Sequence, residues 1–228
     1  MLCLNCEILR YQFNNLSPIE LSVKVNMKKI ICYGDSNTFG FNPKDGSRFD
    51  ENTRWTSVLQ NNIGTEYKVI NEGMCNRTGF VNNPDGFIFS GAKHFAEFVS
   101  KLKNTDILIL WIGTNDLMFQ YNINIEIVEN GLKNLIELAK TKAKRVIIIP
   151  SVILDKNILK GYFSDRFDET SIKKSNEIVA VYKKLAKIYY CEYFDVNDFV
   201  RASDIDGLHY DEASHKIIAD KLSAIISL

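Results

Sequence analysis

The chain has 228 residues, with 28 Lys plus Arg balanced by 28 Asp plus Glu and a hydrophobic fraction of 46%. Zero net charge leaves no field to gather nucleic acid or anionic lipid, and the apolar content suits one soluble domain with a substantial core. The longest apolar run, Ile107 to Ile112, is far too short to cross a bilayer, so neither nucleic-acid nor membrane partners are expected.

Residues 1–26 carry scattered apolar side chains, Glu7 and Glu20, and no sustained hydrophobic stretch. They do not resemble a secretory signal, and a cytoplasmic location is expected. They read as an N-terminal extension, dispensable for folding, ahead of a single domain over 27–228. Five cysteines are an odd number, which argues against an even disulfide framework. Cys3 and Cys6 form a Cys-x-x-Cys with no second pair or suitably spaced histidine, and neither metal nor other cofactor is expected.

Lys29 to Tyr33 read as the first strand, breaking into the tight polar loop Gly34-Asp35-Ser36-Asn37-Thr38. Trp55, Val58, Leu59 and Ile63 recur at helical spacing and predict a helix. Tyr67 to Asn71 form a second strand. Phe95, Phe98, Val99 and Leu102 mark a helix before the third strand, Asp106 to Ile112. Ile123, Ile127, Leu132, Leu135, Ile136 and Leu138 mark the next, ahead of a strand from Arg145 to Ile149 that Pro150 ends.

Ser151 to Phe167 has mixed polarity and reads as a long loop over a site. A helix from Glu169 to Tyr189 leads to a short strand around Tyr193 to Asp195, and Asp211 caps a final helix ending at Ile226. Five strands interleaved with helices predict a three-layer α/β/α domain, a doubly wound five-stranded parallel sheet with both faces covered.

The first three strands end in polar loops: Gly34-Asp35-Ser36, Asn71-Glu72-Gly73 and Gly113-Thr114-Asn115-Asp116. In a parallel sheet these ends share one edge, where such folds hold their ligands. Asp206-Gly207-Leu208-His209 precedes the last helix, and a three-residue separation lets a carboxylate orient one imidazole nitrogen while the other faces Ser36. Those are the parts of an acyl-transfer site. Ser36 would attack a carbonyl, His209 would take its proton, and Asp206 would hold the imidazole. The N–H groups of Ser36 and Gly73 and the Asn115 amide would meet the oxyanion.

The Gly-x-Ser-x-Gly elbow is absent, because Thr38 stands at its second glycine. Neither a Gly-x-x-x-x-Gly-Lys loop nor a Gly-x-Gly-x-x-Gly follows a strand, which weakens a nucleotide-binding reading.

The four blocks, Gly34-Asp35-Ser36, Gly73, Gly113-Thr114-Asn115-Asp116 and Asp206-x-x-His209, occur in the order of the SGNH (GDSL-type) hydrolases, and from about Lys28 onward the chain resembles that family. The resemblance implies a flavodoxin-like fold, ester hydrolysis, and catalytic or oxyanion roles for Ser36, Gly73, Asn115, Asp206 and His209. Arg54-Trp55-Thr56 and Glu72-Gly73-Met74-Cys75-Asn76-Arg77-Thr78 resemble a bacterial arylesterase and acyltransferase branch acting on short acyl groups. That likeness implies assembly into a homo-oligomer. Asn37 and Cys75-Asn76 depart from the branch pattern.

The expected function is hydrolysis of small, acetyl-like esters through an acyl-enzyme. Alternatives are acyl transfer to an alcohol or peroxide, sugar O-deacetylation, or a non-catalytic ligand-binding module. His94 and His215 read as packed helix histidines, Asp116 as the cap of the turn after it, and Arg77 as an ion-paired loop residue. Trp55, Trp111 and Phe80 read as core, and Cys75 is expected near the mouth of the site.

Overall fold

The computed structural model describes residues 27–81 and 91–227. The expectations for residues 1–26, Cys3 and Cys6 included, lie outside the described residues. Strands and helices alternate as β1 (Lys28–Gly34), α1 (Ser36–Phe39), α2 (Trp55–Ile63), β2 (Tyr67–Gly73), α3 (Gly91–Ser100), β3 (Thr105–Trp111), α4 (Ile125–Lys140), β4 (Ala143–Ile149), α5 (Glu169–Ile188), β5 (Glu192–Tyr193) and α6 (Glu212–Ile226). The strands make one sheet in the order β2-β1-β3-β4-β5, every pair parallel. Ile31 lies opposite Ile70 on one side and Leu108 on the other. The continuous apolar runs of β1 and β3 are thus buried between two helical layers, as parallel strands require.

The chain winds from β1 to β2 in one direction and from β2 through β5 in the other. With right-handed crossovers, this reversal sends α2 to one face and α3, α4 and α5 to the other. The packing agrees: α2 lies against α6, while α4 lies against both α3 and α5. The reversal also opens a crevice beyond the carboxyl ends of β1 and β3, where Ser36 and Asn115 follow their strands.

Local chemistry explains most of the element ends. Asn124 caps α4 by accepting from Ile127 N–H, so Ile123 lies buried just before the helix rather than in it. Asp168 and Ser171 form a capping box at the start of α5. Asp211 caps α6 through Ser214 N–H, as expected. The fifth strand is Glu192–Tyr193 and stops short of Asp195, whose carboxylate accepts from Asn197 N–H and turns the chain into a 3₁₀ helix. Leu102 falls beyond α3, in a turn closed on Val99 O. Among the described residues, no helix is long and apolar enough to cross a membrane.

Helix α2 starts without a local cap, since Arg54 offers no side-chain acceptor. The partner for its first N–H comes from α6: His215 Nδ1 accepts from Trp55 N at 3.2 Å in a fully buried contact. Burial holds His215 down at about 4, against an ordinary 6.5. The unfolded chain therefore takes up this proton first, so stability supplied by neutral His215 is full above pH 6.5 and is lost as pH falls through 4. Between pH 7.5 and 4.5 the wild type should lose about 2–3 kcal/mol more unfolding free energy than His215→Gln. Urea titrations of both proteins at the two pH values measure this, and equal losses would exclude it.

Candidate active site

The site begins at the end of β1, where the chain enters α1 instead of the expected loop. Asp35 caps this single turn by accepting from Asn37 N–H at 3.0 Å, which leaves Ser36 as its first residue. As the first residue of a helix, Ser36 has an N–H with no intrahelical acceptor. The α1 backbone lies directly on the end of β2. A Cβ on Gly73 would meet Phe39 N at 2.1 Å and the Thr38 carbonyl carbon at 2.4 Å, so only glycine permits the approach.

The loop before α6 brings the second half. Asp206 Oδ1 accepts from the N–H groups of Leu208 and His209 at 3.0 and 2.9 Å, and Oδ2 lies 2.6 Å from His209 Nδ1. Between them Gly207 has φ of +69°, and a Cβ there would stand 2.4 Å from Ile158 N. A carboxylate only accepts, so the proton of a neutral imidazole sits on Nδ1 and the lone pair of Nε2 faces outward. Nε2 lies 2.9 Å from Ser36 Oγ, a contact across 173 residues. Burial alone would raise Asp206, but its bonds to the His209 ring and to the two N–H groups hold the carboxyl below the usual carboxylate range.

Ser36, Asp206, His209 and Asn115 line one cavity of about 740 Å³. Asn115 Nδ2 donates one hydrogen to Arg77 O at 3.0 Å and keeps a second. Gly73 does not line the cavity, and its N–H donates to Asn71 Oδ1 at 2.9 Å. Asn71 is itself held by Thr38 O and Thr56 Oγ1.

Two expectations need correction. Asp116 does not cap the turn after it. Its carboxylate reaches back and accepts from the N–H groups of Gly79, Phe80 and Val81 at 2.7, 2.8 and 3.0 Å. Burial pushes this carboxyl up to about 6 despite those bonds. Among the described residues Arg77 makes no ion pair: its buried guanidinium donates to the carbonyls of Gly34 and Glu72 and lies over the Tyr33 ring.

His94 lies 3.2 Å from Tyr33 Oη, and Trp55 and Trp111 are fully buried in the core. Phe80 packs against that core, and Cys75 lines the cavity half-buried, with burial raising its thiol to about 11.

Sequence reasoning missed the aromatic wall of the cavity. Phe41 stacks on His209 with centroids 4.2 Å apart and 29° between planes, and Phe163 lies 5.4 Å from the same ring. The two phenyls are only 6.3 Å apart, too close to occupy opposite faces of the imidazole, so Phe41 covers a face and Phe163 stands beside it. Neither belongs to a periodic pattern that could have revealed it.

A crevice of this construction on a doubly wound parallel sheet is that of a carboxylic ester hydrolase. The chain belongs to the GDSL-like lipase/acylhydrolase family, whose model matches residues 32–217. It is similar to the structure of an aryl esterase from M. smegmatis, at 26% identity over 88% of this chain and 98% of that one, with a TM-score of 0.79. A carbohydrate acetylesterase from Sinorhizobium meliloti shares the fold at 24% identity and a TM-score of 0.77, covering 88% and 98% of the two chains. A lipase/acylhydrolase from Enterococcus faecalis shares it at 20% identity and a TM-score of 0.62, covering 88% and 95%. No match is found among curated proteins.

Asp116 ties the loop after β3 to the loop after β2, and through Arg77 O that second loop holds the Asn115 amide. Asp116→Ala would leave one buried and two part-buried N–H groups without their acceptor, at a cost of about 2–3 kcal/mol. A lowered urea midpoint together with slower ester turnover is the expected result. A variant as stable and as active as the wild type would show that the clamp is idle.

Proposed function

We propose that the protein hydrolyses small acyl esters through an acyl-enzyme formed on Ser36. The observation that best supports this reading is the continuous hydrogen-bonded path from Asp206 through His209 to Ser36 Oγ, opening on a cavity that Asn115 also lines. In the proposed reaction Ser36 Oγ attacks the acyl carbon while His209 Nε2 takes its proton. Asp206, kept ionised by its bonds, stabilises the imidazolium and fixes its tautomer. The imidazolium then protonates the leaving alcohol, and water deacylates Ser36 by the same path.

The oxyanion would be met by Ser36 N–H and the second hydrogen of Asn115 Nδ2. Gly73, off the cavity wall and with its N–H given to Asn71, is left out of that set. Each such donor contributes about 3–4 kcal/mol to the transition state.

Likeness to the aryl esterase supports an ester of an aryl alcohol, and the resemblance to the arylesterase and acyltransferase branch supports a short acyl group. The cavity of about 740 Å³ has room for an alcohol larger than the acyl part.

A fluorophosphonate probe should label Ser36 once per chain, and Ser36→Ala should remove both the label and the acylation burst, lowering turnover roughly 10⁴-fold or more. An unlabelled active enzyme, or a label on another residue, would overturn the mechanism. In a series of chromogenic esters from acetate to decanoate, kcat/KM should fall as the acyl chain lengthens. A rise toward decanoate would refute the small-acyl assignment while leaving the nucleophile intact.

A further inference from the structure

The contact between Phe41 and His209 concerns the reaction itself as well as the wall of the cavity. The imidazole has two nitrogen edges and two faces. Asp206 takes one edge, Ser36 takes the other, and the Phe41 ring covers one face at 4.2 Å. Phe41 is held there by its own backbone. Its N–H donates to Ser36 O at 3.0 Å, and it bridges Arg48 across a small antiparallel turn. The ring is therefore referenced to the residue that carries the hydroxyl.

We propose that Phe41 is a positioning residue for His209 whose π face stabilises the imidazolium more than the neutral imidazole. The inference rests on the reading of Ser36 and His209 as nucleophile and base. An aromatic ring presents negative quadrupole density at its face and attracts a cation stacked on it. Before the proton moves, the stack is a ring–ring contact. Once the Ser36 proton has moved to Nε2, the same contact becomes a cation–π interaction, and it ends when that proton passes to the leaving alcohol. An interaction that strengthens only in the charged state lowers the barrier without tightening substrate binding, so its loss appears in kcat rather than KM.

Phe163, beside the ring rather than on the face Phe41 covers, does not duplicate this geometry. Among the described residues, three titratable groups interact electrostatically with His209: Asp206 on its own loop, Asp35 at the start of α1 and His215 on α6, while Lys44, Asp45 and Arg166 line the same cavity. Substitution at position 41 leaves all three in place.

The test compares Phe41→Leu, which keeps an apolar side chain but removes the π face, with Phe41→Tyr, which keeps the ring. Phe41→Leu should lower kcat about three- to thirty-fold with little change in KM. Its acid limb in the kcat/KM profile should move to lower pH by about 0.5–1 unit, because the protonated imidazole has lost its stabilising face. Phe41→Tyr should restore both.

Wild-type kcat and pH profile in Phe41→Leu would overturn the proposal. So would a loss confined to KM, which is the signature of a substrate wall alone. Fluorophosphonate labelling separates the two levels of inference. If the wild type is not labelled at Ser36, the underlying mechanism fails. If it is labelled and Phe41→Leu reacts at the same rate, only the role of Phe41 fails.

Discussion

Because parallel strands are joined by right-handed crossovers, a chain that winds from β1 to β2 and then reverses through β3, β4 and β5 must leave its central strands exiting on either side of a gap. The candidate site occupies that gap. Ser36 follows β1 at once, and Gly113 to Asn115 follow β3. α6, the helix after the last strand, packs against α2, and this carries the Asp206–His209 loop to the same edge. A backbone tie fixes the arrival: Asp155 N–H donates to Gly207 O at 3.0 Å. The long segment after β4 is thus fastened to the loop that bears the histidine.

Backbone that ends strands in a crevice carries polar groups that no ladder satisfies, and the side chains here are largely spent on them. Asp116 takes three N–H groups, Arg77 takes two carbonyls, and Asn71 bonds to Thr38 O and Gly73 N–H. Two of the buried carboxylates end in opposite electrostatic states. Asp206 faces an imidazole as well as two N–H groups and is held below the ordinary range, whereas Asp116 accepts from backbone N–H groups, and burial with the nearby Asp35 charge drives it up to about 6. One environment keeps a charge beside the base. The other uses a carboxyl to shape a loop.

The alternation of strands with helices and the four polar blocks were legible because both depend on local pattern. Trp55, Val58, Leu59 and Ile63 mark α2 to the residue, and Asp206 with His209 needs only one loop to come together. What escaped was decided by partners far along the chain. Nothing near Asp116 indicates that Gly79 to Val81 will bond to it, and nothing near Arg54 indicates that His215 will serve the N-terminus of α2. Helix α1 is a single turn, too short for periodicity to register, though Asp35 as its cap is a readable signal after the fact. Phe41 and Phe163 carry no spacing signal, and only the folded chain brings them to one imidazole.

These long-range contacts divide the site into a part fixed by the sheet and a part carried by loops. Ser36, Asn115 and the clamp at Asp116 hang from strand ends whose register is set by the core. Phe41, Phe163 and Arg166 belong to the segments after α1 and β4, and they meet the core set at the cavity wall. The two parts touch through His209, with its nitrogens committed to Asp206 and Ser36 and its face to Phe41. A change in the loop-borne wall can therefore alter which alcohol fits without moving the atoms that transfer the proton. Phe41 is the exception, because its ring lies on the base while its backbone is bonded to the nucleophile residue, so substrate fit and proton transfer meet at that one side chain.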